Sequence, residues 1–164
     1  MLRVVLMGVS GCGKSSVGAA LSVRMGLPYI DGDDLHPAAN VEKMRVGMAL
    51  TDDDRWPWLD RVAQTLAIQA PVIIGCSALR RVYRDRLRAG AGGAVQFVHL
   101  AGSRAVIAAR MATRTGHYMP ASLLDSQFAA LEAPGPDEAF SVDIDQPLGT
   151  IVGAIVAGLN GGQT

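Results

Sequence analysis

Residues 8–15 read Gly-Val-Ser-Gly-Cys-Gly-Lys-Ser and match G-x-x-x-x-G-K-[ST] at every fixed position. The pattern restricts the fold because it works only between a strand and a helix. Its glycines let successive backbone N–H groups turn inward as an anion nest. The helix that follows adds the partial positive charge of its first turn. Both flanks are present. Arg3–Met7 is a short run rich in Val and Leu that ends at Gly8, the pattern of a buried parallel strand. From Lys14 to Met25 apolar residues recur at Val17, Ala20, Leu21 and Met25, a helical spacing that stops at Gly26. A nucleoside triphosphate is therefore expected against Gly8, Ser10, Gly11, Cys12 and Gly13, with Lys14 reaching the β- and γ-phosphates. Ser15 is expected on Mg²⁺, and Ser16 is counted among the nucleotide contacts. A glycine-rich turn with a chance Lys-Ser is the other reading, and it leaves the flanking strand and helix unexplained. The motif is silent on what accepts the phosphoryl group.

The rest of the chain repeats the strand-then-helix alternation. Further strands are expected at Pro28–Ile30, ending in Asp31, and at Val72–Cys76, Val95–Leu100 and Ala139–Ile144. Helices are expected at Asn40–Val46, from an Asp54 cap with Pro57 in its first turn to about Gln69, and at Leu79–Arg88. Three more follow: one capped by Ser103 and running to about Arg114, then Pro120–Leu131 and Leu148–Leu159. Such units imply an α/β fold with a five-stranded parallel sheet covered on both faces. No linker or low-complexity stretch divides the chain, so residues 1–164 are read as one domain, with a lid-like segment around 110–122.

Charge narrows the function class. Lys+Arg and Asp+Glu are both 15, so the net charge is zero, which argues against nucleic-acid or membrane-surface binding. No apolar run reaches the ~18 residues of a transmembrane helix, no signal-peptide succession opens the chain, and two Cys point to a reducing compartment. A soluble, cytoplasmic protein is expected. The charge is nevertheless uneven: from Asp31 to Asp60 there are eight acids against three bases, and from Arg80 to Arg114 eight Arg against one Asp. Folded together, the halves could surround one anionic ligand and its metal. Ordinary solvated helix faces would give the same counts.

The acidic half holds the candidate acid–base groups. Val72–Cys76 ends without the Asp that commonly follows a P-loop partner strand, so the metal-side carboxylate must come from elsewhere. Asp31 is the natural donor, and Asp33 two residues on can take the proton from an acceptor hydroxyl. The alternative is that Asp-Gly-Asp-Asp is only turn chemistry. His36, Asn40, Lys43 and Arg45 follow, donors suited to a polar, polyhydroxylated acid, although His36 alone reads equally as a loop or capping histidine. Trp58 reads as core. Arg80, Arg81 and Arg84 follow the third strand and could clamp a carboxylate or phosphate, with Arg80 and Arg84 counted among the substrate contacts. Arg110 and Arg114 precede a break at Thr115-Gly116-His117-Tyr118 and could close over the phosphates, Arg114 with a catalytic role in neutralising transferred charge. Each of these Arg reads alternatively as a surface residue. Cys12 and Cys76 are expected at the edge of the site.

Several segments, in order and at similar spacing over nearly the whole chain, resemble the gluconokinase family. They are Met7–Ser15, Asp31-Gly32-Asp33 through His36-Pro37 and Asn40 to Met44, and Leu50–Leu59. Cys76–Arg80 with Tyr83-Arg84-Asp85, Gly116–Pro120, and Ser126-Gln127-Phe128 with Leu131-Glu132 complete the set. The resemblance implies a three-layer P-loop kinase fold of shikimate-kinase type, ATP with Mg²⁺, and phosphorylation of D-gluconate to 6-phosphogluconate. It also implies a substrate-side role for His117, a homodimer, and a place feeding the pentose phosphate or Entner–Doudoroff routes. Cys12 stands where the family commonly has Ser, and Arg80 where it has Lys. The rivals are a shikimate or nucleotide kinase, which the His36–Arg45 segment weighs against through the resemblance, and a nucleotide-binding module without turnover.

Overall fold

The first strand, β1 (Arg3–Met7), sends its side chains into two separate cores. Val4 and Leu6 join one cluster and Val5 and Met7 the other, and all four are fully buried. An uninterrupted apolar strand needs a cover on each face, and helices supply both. The computed structural model describes residues 1–112 and 121–161. Within them β1 is followed by α1 (Lys14–Met25), β2 (Tyr29–Asp31), a 3-10 turn (Gly32–Leu35), α2 (Ala38–Arg45) and α3 (Asp52–Gln69). Then come β3 (Val72–Gly75), α4 (Arg81–Gly90), β4 (Gln96–Ala101), α5 (Arg104–Ala112), α6 (Ala121–Ala130), β5 (Ala139–Asp143) and α7 (Leu148–Gly161). The five strands pair in parallel in the order β2-β3-β1-β4-β5, as the alternation of elements predicted.

Helices α1 and α7, with Ile107 of α5 and Leu124 of α6, cover one face. Helices α3 and α4 cover the other through Trp58, Leu59, Val62, Leu66, Tyr83 and Leu87. In this topology every strand delivers its C-terminal end to one edge of the sheet. The register aligns Asp31 with Gly75 and Leu6 with Gly75, so β1, β2 and β3 finish together and the loops after them converge. That edge, where the strand order reverses, is the expected ligand crevice of an open α/β sheet.

Two boundaries differ from the sequence reading for identifiable reasons. Helix α3 begins at Asp52, capped by Thr51 rather than Asp54. The Thr51 hydroxyl accepts from the Asp54 N–H at 3.2 Å, and the Asp54 carboxylate accepts from the Thr51 N–H at 2.9 Å. This is a capping box, which leaves Pro57 inside the helix beyond its first turn. Helix α4 starts at Arg81 because Arg80 is still extended, with φ −104° and ψ 147°.

Candidate active site

The loop between β1 and α1 closes around its own lysine. Gly11 and Gly13 have φ of 85° and 97°, left-handed values that a side chain resists, and Gly13 opens α1. The Lys14 ammonium donates to the Gly8 carbonyl at 2.9 Å and to the Val9 carbonyl at 3.2 Å. The Gly8 N–H donates to the Ser77 carbonyl at 3.2 Å, tying the loop to the end of β3. Helix α5 lies across the top: a Cβ at Gly11 would meet the Met111 sulfur at 2.6 Å, and one at Gly13 would come to 3.7 Å from the Arg110 guanidinium. Arg110 also donates to the Ile144 carbonyl. The structure thus brings Gly8–Ser15 and Arg110 together. Arg114 and His117 lie outside the described residues.

The acidic turn faces this loop. A Cβ at Gly32 would run into the Gly75 carbonyl, and the Gly32 carbonyl accepts from the Trp58 indole at 2.8 Å. Glycine is required there, and Asp31 and Asp33 are held on either side of the pinned residue. One oxygen of Asp31 accepts from the Asp33 N–H at 3.0 Å. Asp33 is open to solvent, yet the walls of the cleft raise its carboxyl above the ordinary value, and Asp31 raises it further. Lys14 pulls the other way, which sets the ammonium and this carboxylate within each other's field. A raised carboxyl facing a phosphate loop suits a general base.

Tyr29, at the start of β2, reaches the same place. Its ring fills the space left by Gly18 of α1, and its hydroxyl sits against Gly75. The hydroxyl oxygen is buried without a hydrogen-bond partner, alone in this among the described side chains. Burial pushes the phenol up to about 12, Asp31 adding to the effect and Ser15 partly offsetting it. Ser15, Asp31 and Asp33 are thus all near enough to act on this one phenol between β2 and α1. No cluster of three or more His, Cys, Asp or Glu suited to a metal occurs among the described residues. Magnesium does not require one, because it takes one or two protein ligands and draws the rest from phosphate and water. The donor set of Ser15 and Asp31 fits that mode.

The acceptor-side expectations divide. The His36 ring stacks on Trp58 with centroids 4.2 Å apart. Asn40 is buried, and its amide nitrogen donates to the Asp54 carbonyl at 2.8 Å and lies 3.2 Å from His36 Nδ1. The carbonyl can only accept, so the nitrogen is placed correctly and His36 Nδ1 must be the acceptor. His36 is then neutral with its proton on Nε2, in keeping with a pKa lowered by burial and by Arg55. Lys43 pairs with Asp54 at 2.8 Å, and this contact chiefly pulls Asp54 down to about 2. Arg45 pairs with Glu42, and Arg80 with Asp52 at 3.3 Å, both at the surface.

Arg84 departs from the reading of a substrate clamp. It is 1% exposed, and its guanidinium meets Glu138 at 2.6 and 3.2 Å, the Ala78 and Leu79 carbonyls, and the Glu132 carbonyl. Every nitrogen is engaged, so none is left for a ligand. Ala78 has φ 45°, and the Arg84 bonds to its carbonyl and the next hold that unusual turn. Its role is to shape the 76–80 loop. Cys12 and Cys76 are at the expected positions but buried, and burial pushes the Cys76 thiol up to about 12.

Sequence reasoning missed three participants. Gln127 of α6 hydrogen-bonds Ser10. Glu132 accepts from the Arg81 N–H at 2.9 Å, and its own N–H donates to the Leu79 carbonyl at 2.7 Å. Glu138 is the counter-ion of Arg84. Their contacts span 48 to 117 residues, beyond any local pattern; only the family resemblance had touched Gln127 and Glu132.

Comparison with known proteins agrees with this geometry. A family model described as an AAA domain matches residues 4–134. The chain is 48% identical over 139 residues to a gluconokinase of Gluconobacter oxydans, covering 82% of this chain and 78% of that one. It is 42% identical to the thermoresistant gluconokinase of Escherichia coli, covering 97% and 94%. A solved gluconokinase from Sinorhizobium meliloti superposes with a TM-score of 0.90 at 52% identity, covering 97% and 91%. A shikimate kinase from Bacteroides thetaiotaomicron, covering 97% and 98%, shares the fold with a TM-score of 0.72 at 17% identity. With relatives this similar over most of their length, and with a nucleotide loop facing an acidic turn at one sheet edge, the chain belongs to the gluconokinase family of P-loop kinases.

Proposed function

We propose that the protein transfers the γ-phosphoryl group of ATP to the terminal hydroxyl of D-gluconate, giving 6-phospho-D-gluconate. The observation that carries the reading is a P-loop whose Lys14 rests on the Gly8 and Val9 carbonyls at the same sheet edge as the Asp31-Gly32-Asp33 turn, which the Gly75 carbonyl and the Trp58 indole pin in place. Lys14 leaves the Gly8 and Val9 carbonyls, which stand in for phosphate oxygens, and takes up the β- and γ-phosphates. Asp33 orients the acceptor hydroxyl and receives its proton as the O–P bond forms. Backbone N–H groups of the loop, Lys14, Arg110 and Arg114 stabilise the charge on the transferring group by position rather than by covalent chemistry. Mg²⁺, held through Ser15 and Asp31, would supply further neutralisation of the phosphate oxygens when bound. His36 offers Nε2–H to a substrate hydroxyl, and the family resemblance adds His117 to the substrate contacts. Lys43, Arg45 and Arg80 are cations in solvent-accessible pairs, which contribute little to stability, so a substrate carboxylate can draw one of them away. A homodimer and a cytoplasmic location complete the reading; among the described residues no helix is long and apolar enough to cross a membrane.

The test is a coupled ADP-release assay with gluconate, shikimate, other sugar acids and nucleoside monophosphates. Release with gluconate and not with shikimate or nucleotides is expected. Turnover with one of the others in preference overturns the assignment of acceptor, and no turnover with any makes the protein a nucleotide-binding module. Sedimentation equilibrium decides the dimer.

A further inference from the structure

Gln127 lies 117 residues from Ser10, and its carboxamide oxygen accepts from the Ser10 backbone N–H at 3.0 Å and from the Ser10 hydroxyl at 3.3 Å. A backbone N–H can only donate, so the loop itself sets the orientation of the amide: Oε1 faces Ser10, and the –NH₂ group is turned away from that N–H. The nitrogen makes no hydrogen bond to any described residue. Ser10 follows directly on Val9, whose carbonyl, with that of Gly8, holds the Lys14 ammonium. The carboxamide therefore sits on the loop residue next to the carbonyls where the lysine that grips the outer phosphates now rests, with its two N–H donors unengaged by described residues.

Gln127 is also held rigidly. Leu124, one turn earlier on α6, is buried in the sheet core. One turn later the chain is fastened to the 76–84 region by the Glu132 N–H on the Leu79 carbonyl and by Arg84 on the Glu132 carbonyl at 2.9 Å. A donor carried on an anchored helix is preorganised, which is what stabilising a developing charge requires. A tie to the loop alone would be served better by a carboxylate, since a charged acceptor makes the stronger bond. A carboxamide serves as well as a neutral tie, adds two N–H donors, and carries no charge to repel a phosphate.

We propose that Gln127 is a further residue of the phosphoryl-transfer site, its Oε1 fixing the P-loop at Ser10 and its Nε2 donating to an oxygen of the terminal phosphoryl group of the bound nucleoside triphosphate. The proposal rests on the phosphoryl-transfer reading above, though not on the identity of the acceptor. It distinguishes ATP from ADP, because only ATP carries the group that Nε2 would touch.

The experiment measures ATP and ADP dissociation constants by calorimetry at fixed magnesium without acceptor, on the full chain and on Gln127→Ala and Gln127→Glu. Thermal unfolding of each is followed in parallel. Gln127→Ala is expected to weaken ATP binding about tenfold, as for loss of a hydrogen bond to a charged group, while ADP binding stays within about twofold. Its kcat should fall on the order of 10²-fold, typical for one lost donor, with acceptor KM unchanged. Gln127→Glu keeps an oxygen on Ser10 and so keeps the unfolding temperature, but it loses the donor and adds a like charge, so ATP binding should fall at least as far. Should the alanine variant not fold, the glutamate variant carries the test. ATP and ADP affinities falling by one common factor, or a glutamate variant that binds ATP as the parent does, would overturn the proposal and leave Gln127 a tie for the loop. A parent chain that binds ATP and ADP but turns over no acceptor sinks the kinase reading alone. A parent chain that binds neither sinks both.

Discussion

At the scale of single residues the site depends on a tyrosine and the glycines that admit it. Tyr29 passes Gly18 of α1 and brings an unpartnered hydroxyl against Gly75 of β3. Removing a buried hydroxyl that has no partner leaves nothing unsatisfied, so Tyr29→Phe should be neutral or stabilising by about 1 kcal/mol in urea unfolding. Gly75→Ala should cost about 1–3 kcal/mol through overpacking, and part of that cost should vanish in the Tyr29→Phe background. Strictly additive effects would mean that the hydroxyl is not what the new methyl meets. Asp33 gives a pH prediction. Desolvation by the cleft walls and then Asp31 raise its carboxyl above the usual 3.8, and a base works only when deprotonated. Activity should therefore fall as pH drops through that raised value, placing the acid limb of kcat/KM, which reports the free enzyme, above the ordinary aspartate range. Asp33→Asn should lower kcat by on the order of 10²–10⁴ and abolish that limb, while ATP affinity stays nearly unchanged. A variant that retains the limb would assign it to another group.

At the scale of elements the 76–80 loop is the part most dependent on distant contacts. Arg84 on α4 and Glu138 before β5 form a buried pair, and the arginine also holds the Ala78 and Leu79 carbonyls. Arg84→Met leaves Glu138 buried with only the half-buried Arg88 at 2.9 Å, and should destabilise the fold by about 3–5 kcal/mol in urea unfolding. A loss under 1 kcal/mol would show that Glu138 reaches solvent on its own. The same pair sets an acid limit. Hydrogen bonds from Arg84, with Arg88 assisting, bring Glu138 down to about 2 from an ordinary 4.5. A depressed carboxyl stabilises the native state above its unfolded value, so this contribution is intact above pH 4.5 and is lost as pH falls toward about 2. In Arg84→Met that stretch of the stability profile should flatten. Helix α3 is legible in outline, and its true start is present as Thr51-Asp52-Asp53-Asp54, the capping-box spacing, although Asp54 by itself also reads as a cap. Arg84 was not legible, because Arg80 and Arg84 look alike in sequence, and only the fold leaves Arg80 in extended backbone before α4 and turns Arg84 on that helix into the interior.

At the scale of the molecule the site gathers loops from both faces of the sheet. The P-loop and α5 belong to the α1/α7 side, whereas the 3-10 turn is pinned by Trp58 of the α3/α4 side. A ligand that bridges them should stabilise the whole fold. ATP at a hundredfold over its Kd should add about 2.7 kcal/mol to the unfolding free energy. Lys14→Met should abolish that gain while leaving the unliganded protein within about 1 kcal/mol of the parent, since Lys14 touches loop carbonyls rather than core. A full ATP-induced shift in Lys14→Met would place the phosphates elsewhere. What the sequence determined by itself was whatever local chemistry dictates. The P-loop, the alternation of strands and helices, the parallel sheet and the Asp31-Gly32-Asp33 turn follow from spacing within a dozen residues, where backbone geometry and burial period act directly. Only the tertiary structure decided which cations remain accessible and which are sealed, that Gln127 rather than a nearer residue meets Ser10, and that Tyr29 ends without a partner. Those outcomes depend on how the β2-β3-β1-β4-β5 order stacks segments up to 117 residues apart, and the polarity of a side chain does not encode what it will be packed against.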